Sequence, residues 1–136
     1  MKVLFRNKIE LTPANNGHKF QLLRAFIVYI TSYDTIIIPE GFWTDFASIP
    51  QLFQNILPVL DKHLRAAVLH DYMYYKQSLN GKKITRKQAD KIFDIGMKTC
   101  GVGWLKRNTI YYAVRSGGWI TWNKYKNDRI KNKEGK

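Results

Sequence analysis

The period of the hydrophobic residues changes once along the chain, and this change limits the fold more than any other feature. Up to residue 40 the apolar runs are short and rich in β-branched and aromatic residues, as in "KVLF", "KFQLLRAFIVYI" and "TIIIP", which is typical of strands. The breaks "TPANNG" and "TSYD" contain residues that favour turns. From residue 58 on, the period is helical. The sequence therefore predicts an α+β fold, with a small antiparallel N-terminal β-sheet packed against about three C-terminal helices.

Three helical segments follow the predicted sheet. The first runs from about Asp61 to Leu79, and "NGKK" connects it to the second. The second begins at "TRKQ", where Thr85 and Gln88 have the spacing of a capping box. The third begins at Trp104, and "SGG" interrupts it. With a connection as short as "NGKK", we expect the first two helices to be antiparallel.

The helical segments carry apolar stripes that predict their buried faces. In the second helix the stripe consists of Ala89, Ile92, Phe93, Gly96 and Met97. In the third we expect an inward face of Leu105, Thr109, Tyr112 and Ala113. The last residues, "NKYKNDRIKNKEGK", are basic and low in apolar side chains. We therefore predict one domain over residues 1–122 and a basic C-terminal tail over residues 123–136, solvated or bound to a partner.

Charge and composition limit the classes of function. The 136 residues include 23 Lys plus Arg against 10 Asp plus Glu, a formal net charge of +13, which favours an anionic partner such as nucleic acid or a phospholipid surface. The single Cys100 excludes an intrachain disulfide framework. No apolar run approaches the roughly 20 residues that a membrane span needs, and the N-terminal residues do not resemble a signal peptide. We expect a protein made in a cytoplasm, without a transmembrane segment.

A titratable pair lies in the aromatic run "LHDYMYY", where His70 and Asp71 are adjacent. At roughly 100° per residue, both border the apolar stripe of the first helix, and Tyr74 lies one turn beyond His70. Asp90 borders the stripe of the second helix, one turn before Phe93. Antiparallel packing would bring Asp90 opposite His70. The spacing is therefore compatible with an Asp90, His70, Tyr74 hydrogen-bond network with Asp71 beside it.

Such a network has two interpretations. In the catalytic one, Asp90 orients His70, His70 deprotonates water, and Asp71 holds a hard cation such as Ca²⁺ beside that water. In the structural one, the same polar groups satisfy one another between two helices, as buried histidines and aspartates usually do. The residues alone leave both interpretations open.

The runs "LHDYMYY" and "KQADKIFDIGM" resemble the secreted phospholipase A-two superfamily, and most of all its minimal viral-capsid version, over roughly residues 65–97. The resemblance implies His70 as the base, Tyr74 as a hydrogen-bond partner, Asp90 as the orienting carboxylate and Asp71 as a calcium ligand. The glycine-rich calcium loop of that superfamily is not present here in its usual form, and neither are the disulfides of its secreted members.

Four blocks cover more of the chain: "IPEGFWTDFASIP", "AAVLHDYMYY", "RKQADKIFDIGM" and "IYYAVRSGGWITW". In this order they resemble a phage-encoded domain family of unknown function, often found among tail and lysis genes. The resemblance implies a bacteriophage or prophage origin, synthesis in the bacterial host cytoplasm, and other virion proteins as partners, with incorporation into the virion as one outcome. It brings no established activity.

The first block, with Asp45 and Ser48, has a structural and a functional interpretation. Asp45 or Ser48 can cap a turn or a helix that starts near Pro50. Alternatively, Gly41 to Asp45 replaces the missing calcium loop, with backbone carbonyls such as that of Gly41 and the Asp45 carboxylate as ligands. A nucleophilic role for Ser48 is weaker, because no GxSxG elbow surrounds it.

Three classes of function follow. The first is a calcium-dependent, phospholipase-like ester hydrolase that uses the His-Asp dyad. The second is a non-enzymatic virion or tail accessory protein in which the His, Asp and Tyr network is structural. The third is nucleic-acid binding through the basic surface. A phosphohydrolase with a metal on the His70–Asp71 pair ranks below these, because His18 in a turn is a poor further ligand.

Overall fold

The computed structural model describes residues 1–14, 19–46 and 61–134. Within these ranges the chain forms eight strands and four helices. The strands are β1 (Val3–Phe5), β2 (Leu11–Pro13), β3 (Phe20–Leu22), β4 (Phe26–Ile30), β5 (Asp34–Ile38), β6 (Trp43–Thr44), β7 (Ser78–Leu79) and β8 (Lys82–Lys83). The helices are α1 (Asp61–Lys76), α2 (Arg86–Thr99), α3 (Trp104–Gly117) and α4 (Trp119–Glu134). The predicted α+β class is confirmed, with four helices where about three were expected.

The N-terminal strands form two antiparallel sheets of three strands, in the orders β1-β4-β5 and β2-β3-β6. In β4 the alternation of "FIVYI" buries Phe26, Val28 and Ile30, as expected for a strand with one face on the core. The run "KFQLLRAFIVYI" is therefore two strands of different sheets. Part of "TPANNG" is also strand, since Leu11–Pro13 is β2, while "NNG" and His18 lie outside the described residues.

Helix α1 is shorter than predicted. It ends at Lys76, and Gln77 takes a positive φ of 55°. The next residues form a β-hairpin, β7–β8, with Asn80 and Gly81 at its turn, both at positive φ. Asn-Gly is the preferred pair for a two-residue hairpin turn, so these residues leave the helix. The prediction that the first helix reaches Leu79 is wrong for this reason.

Helix α2 agrees with the prediction. Thr85 caps its N-terminus, and the reciprocal hydrogen bonds of the capping box with Gln88 are both present. The predicted stripe is buried, together with Asp90. Gly96 lets α2 approach both neighbours, since a Cβ there would lie 3.6 Å from Ala66 Cβ of α1 and 3.3 Å from Phe5 Cζ of β1. Helix α2 is therefore the central layer between α1 and the first sheet.

Helices α3 and α4 meet at Gly118. The inward face predicted for α3 is wrong, because Leu105 is 73% exposed and Tyr112 is 65% exposed, whereas Ile110 and Val114 are buried. Helix α4 includes most of the predicted basic tail, and the predicted boundary after residue 122 falls inside it. Of the described residues, no helix is long and apolar enough to cross a membrane.

Candidate functional site

The centre of the site is the carboxylate of Asp90, to which three helices contribute donors. Its Oδ1 atom lies 2.7 Å from His70 Nε2 and accepts a hydrogen bond of 2.6 Å from the Tyr74 hydroxyl, both on α1. Its Oδ2 atom accepts from Arg115 Nη1 of α3 at 2.7 Å and from Arg86 Nη1 of α2 at 3.4 Å. The contacts predicted among Asp90, His70 and Tyr74 are therefore present, and two arginines complete them.

These donors set the charge of Asp90. Burial is the largest influence and alone would raise the pKa of Asp90, but the hydrogen bonds from His70, Tyr74 and Arg115 outweigh it and lower the pKa overall. Burial likewise raises the pKa of Tyr74, and the nearby Asp90 raises it further. The carboxylate is therefore ionised and the phenol neutral at pH 7.

The state of His70 follows from this ionised carboxylate. Burial lowers the pKa of His70, against the opposing effect of Asp90, so the imidazole is neutral at pH 7. Because an ionised carboxylate only accepts hydrogen bonds, Nε2 carries the ring hydrogen and donates to Asp90. The other nitrogen, Nδ1, then carries the lone pair. Asp90 thus fixes the tautomer that a general base at Nδ1 would need.

The surroundings of His70 exclude solvent. Its ring stacks on Phe93 with centroids 4.3 Å apart and lies 4.3 Å from the ring of Tyr74. The side chains of His70 and Asp90 are both 0% exposed. Tyr74 in turn contacts Trp122 of α4 edge to face at 5.1 Å. The network is therefore part of the hydrophobic core that joins the four helices.

Asp71 points to a different part of the molecule. Its Oδ2 atom accepts a hydrogen bond of 2.6 Å from Thr44 Oγ1 of β6, and both residues are buried. This bond joins the second sheet to α1. Gly41 lies just before β6 with a φ of 88°, and its carbonyl accepts from Gln21 Nε2 at 3.1 Å.

Next to this sheet–helix contact is a cavity of about 570 Å³, which we call the aromatic pocket. Gly41, Thr44 and Asp45 line one side of it, and Lys19 and Lys76 also contribute. Its remaining wall includes five aromatic side chains: Phe42, Trp43, Tyr72, Tyr75 and Tyr125. The loop predicted to replace a calcium loop therefore lines a cavity on the first helix.

A calcium ion at the predicted ligands would share them with protein hydrogen bonds. Ca²⁺ takes about 6–8 oxygen ligands, and Asp71 and Gly41 each already accept a protein hydrogen bond. Among the described ranges there is no group of three or more His, Cys, Asp or Glu side chains that could hold a metal. The assignment of Asp71, Asp45 and Gly41 as metal ligands stays a prediction.

Sequence reasoning missed several residues of the site. Arg86 is one helical turn before Asp90, a spacing that could have indicated the pair. Arg115 and Thr44 come from distant elements, and no local signal identifies them. His63, near the start of α1, is also buried. Ser48 lies outside the described residues.

Comparisons with known proteins identify relatives of this chain. A family model described as "Protein of unknown function (DUF1353)" matches residues 20–114, more than half of the chain. The chain belongs to this family. It is also 35% identical over 83 residues to "Uncharacterized protein y4jT" of Sinorhizobium fredii. That alignment covers 60% of the chain but 23% of the relative, so the chain spans about a quarter of that protein's length. No solved structure matches this chain.

Only some residues of the site lie within the range that the DUF1353 model matches. It contains Asp90 with its partners on α1, and it contains the β6 side of the aromatic pocket. It ends at residue 114, before Arg115 and before α4, which supplies Tyr125 to the pocket. In this chain the site therefore also includes Arg115 and Tyr125, which lie beyond the matched residues.

Proposed function

We propose that this protein is a non-catalytic binding protein of a bacteriophage or prophage, in which the His70 network is structural and the aromatic pocket is the binding site. The observation that carries the proposal is the saturation of Asp90. Both of its oxygens accept hydrogen bonds, from donors on three helices, and neither Asp90 nor His70 is exposed to solvent. Such a cluster fixes the helices against one another but has no access to a substrate.

The same proposal includes the origin of the protein and the kind of partner it binds. The four sequence blocks that resemble a phage-encoded family support a phage or prophage origin, with synthesis in the bacterial host and incorporation into the virion. The net charge of +13 supports an anionic partner. Virion proteins and anionic phospholipid both fit that description. Nucleic acid does too, and binding to it would weaken steeply with added salt.

A phospholipase-like ester hydrolase is the second candidate, and the tautomer of His70 favours it. The hydrogen on Nε2 is directed to Asp90, so Nδ1 is the basic nitrogen, as a general base requires. In this candidate a local opening would bring water and an ester to His70, which would take a proton from the water. Dependence on Ca²⁺ is part of this second proposal, with Asp71 and Asp45 as its ligands.

One assay separates the two candidates. The purified protein is incubated with mixed phospholipid micelles, with Ca²⁺ or with a chelator, and released fatty acid is measured for the native chain, for His70→Ala and for Asp94→Asn. Asp94 is on the same helix as Asp90 and pairs with Arg107 outside the network. We expect no release from any of the three proteins.

The opposite result would be informative because of the control. Release by the native chain and by Asp94→Asn, lost in a His70→Ala protein with native circular dichroism, would overturn the non-catalytic proposal. Loss of release with the chelator would then also support the calcium dependence.

A further inference from the structure

The aromatic side chains of the pocket are packed at steep angles to one another. Phe42 and Tyr72 meet nearly edge to face, with centroids 5.3 Å apart and ring planes at 82°. Tyr75 and Tyr125 meet in the same way at 5.6 Å and 88°, and Phe42 links the two pairs through a contact of 5.8 Å with Tyr75. All four rings line the pocket in different orientations, as the rings of an aromatic cage do.

Negative charge lies against these rings. Asp45 lines the pocket, and Asp71 lies behind Thr44 of the pocket wall. Burial raises the pKa of Tyr125, and the charges of Asp71 and Asp45 raise it further. Both carboxylates therefore act on the Tyr125 hydroxyl. The described lining of the pocket thus carries the carboxylates of Glu40 and Asp45 beside the ammonium groups of Lys19 and Lys76, in a chain with a net charge of +13.

The chemistry of the walls limits the kind of cation. A hard metal ion needs a shell of oxygen atoms, and an ammonium group needs acceptors for three donors. Five of the described residues that line the pocket are aromatic, and two others, Glu40 and Asp45, carry carboxylates. A quaternary ammonium group has no donors to satisfy, and it is attracted by aromatic faces and by carboxylates. The pocket of about 570 Å³ is within the usual range for small-molecule sites.

We propose that the aromatic pocket binds a quaternary ammonium group, held by the rings of Tyr72, Tyr75, Tyr125 and Phe42 and by the charge of Asp45 and Asp71. This inference rests on the proposed binding function and names its ligand class. Lys19 and Lys76 also line the pocket, and both are exposed. An anionic group attached to the cation, such as a phosphate, would lie near them.

The test compares choline with its neutral isostere, 3,3-dimethyl-1-butanol, by calorimetric titration of the full chain. Both have the same shape, so only the charge differs. We expect choline to bind about fivefold to thirtyfold more tightly than the isostere, the range that cation–π and carboxylate attraction supply. Equal affinity for the two compounds, or no binding of choline, would overturn the proposal.

Variants locate the binding. Tyr75→Ala and Asp45→Asn are expected to weaken choline binding several-fold, and the neutral isostere should be insensitive to Asp45→Asn. Tyr112→Ala is the matched control, because Tyr112 is exposed on α3 and does not line the pocket. Choline binding unchanged in a folded Tyr75→Ala protein would overturn the assignment to this pocket.

Vesicles distinguish the source of the cation. Retention on phosphatidylcholine vesicles, competed by phosphocholine and reduced by Tyr75→Ala, would identify a lipid headgroup, whereas binding of free choline without retention would identify a soluble compound. Both results support a quaternary ammonium ligand. Failure of choline to bind, with no fatty acid release, would remove the ligand class and leave the non-catalytic proposal standing. Fatty acid release that depends on His70 would overturn the non-catalytic proposal alone.

Discussion

At the scale of the residue, Asp90 shows why a buried charge is tolerated in this core. Removal of a carboxylate from water is costly, and here four donors on His70, Tyr74, Arg86 and Arg115 replace the lost hydration. Removal of any one of these side chains would therefore leave another buried polar group of the network without a hydrogen-bond partner. The network is therefore stabilising only as a complete set.

Asp90→Asn should be strongly destabilising, because the amide removes the charge that balances two arginines and places a donor against other donors. We expect a loss of about 3–5 kcal/mol in the free energy of unfolding, measured by urea denaturation. Asp94→Asn, which breaks the more exposed pair with Arg107, should cost about 1–2 kcal/mol. Equal effects of the two variants would contradict the special role of the network.

Sequence reasoning reached His70, Tyr74 and Asp90 because helical spacing alone puts them on facing stripes. It did not reach Arg115 or Thr44, since the contacts of these residues depend on how α3 and β6 are placed in space. Helical periodicity gives the face of a residue but not its depth. That His70 is fully buried, and not at a surface, could therefore not be read from the sequence.

At the scale of the element, the junction of α3 and α4 depends on the absence of a side chain. A Cβ on Gly118 would lie 2.5 Å from the Tyr74 hydroxyl and 2.6 Å from the Val114 carbonyl oxygen. The neighbouring Gly117 has nothing within 4 Å of such an atom. The two adjacent glycines thus have different roles, and Gly118 permits α4 to pack on Tyr74.

Gly118→Ala should therefore displace Tyr74 from Asp90 and lower the free energy of unfolding by about 1–3 kcal/mol, the usual cost of overpacking. Gly117→Ala, in a helix, should be neutral or stabilising by about 0.5–1 kcal/mol. Thermal unfolding followed by circular dichroism measures both. A Gly118→Ala protein as stable as Gly117→Ala would show that Tyr74 is not held at this junction.

The elements themselves were predictable to different degrees. The capping box and the regular stripe of α2 gave its start and its buried face, since local signals agree there with the tertiary packing. The stripe of α3 was misassigned because apolar residues occur around much of that helix, and Leu105 and Tyr112 are on the exposed side. The β7–β8 hairpin carried a clear signal in Asn80–Gly81, but the helical pattern before it was extended too far.

At the scale of the whole molecule, the excess positive charge and the buried histidine both lower the stability of the folded chain as the pH falls. Each added proton increases the repulsion within a chain that already has a net charge of +13. Among the described groups, His70 has its pKa lowered by burial, so the unfolded chain binds this proton more readily than the folded chain does. The stability that comes from a neutral His70 is present above its ordinary pKa of 6.5 and decreases as the pH falls through this value toward the folded pKa.

The two contributions can be separated with one variant and salt. The free energy of unfolding of the native chain should fall as the pH is lowered from 7 to 5, with the decrease beginning near pH 6.5. His70→Gln keeps a donor for Asp90 but has no titrating ring, so its free energy of unfolding should change less steeply with pH. Added salt screens surface repulsion over distances beyond about 8 Å at 0.15 M but leaves the buried proton unaffected. The difference in slope between native chain and variant should therefore persist in salt. Equal slopes at every salt concentration would mean that surface charge alone causes the acid sensitivity, and that burial does not set the protonation of His70.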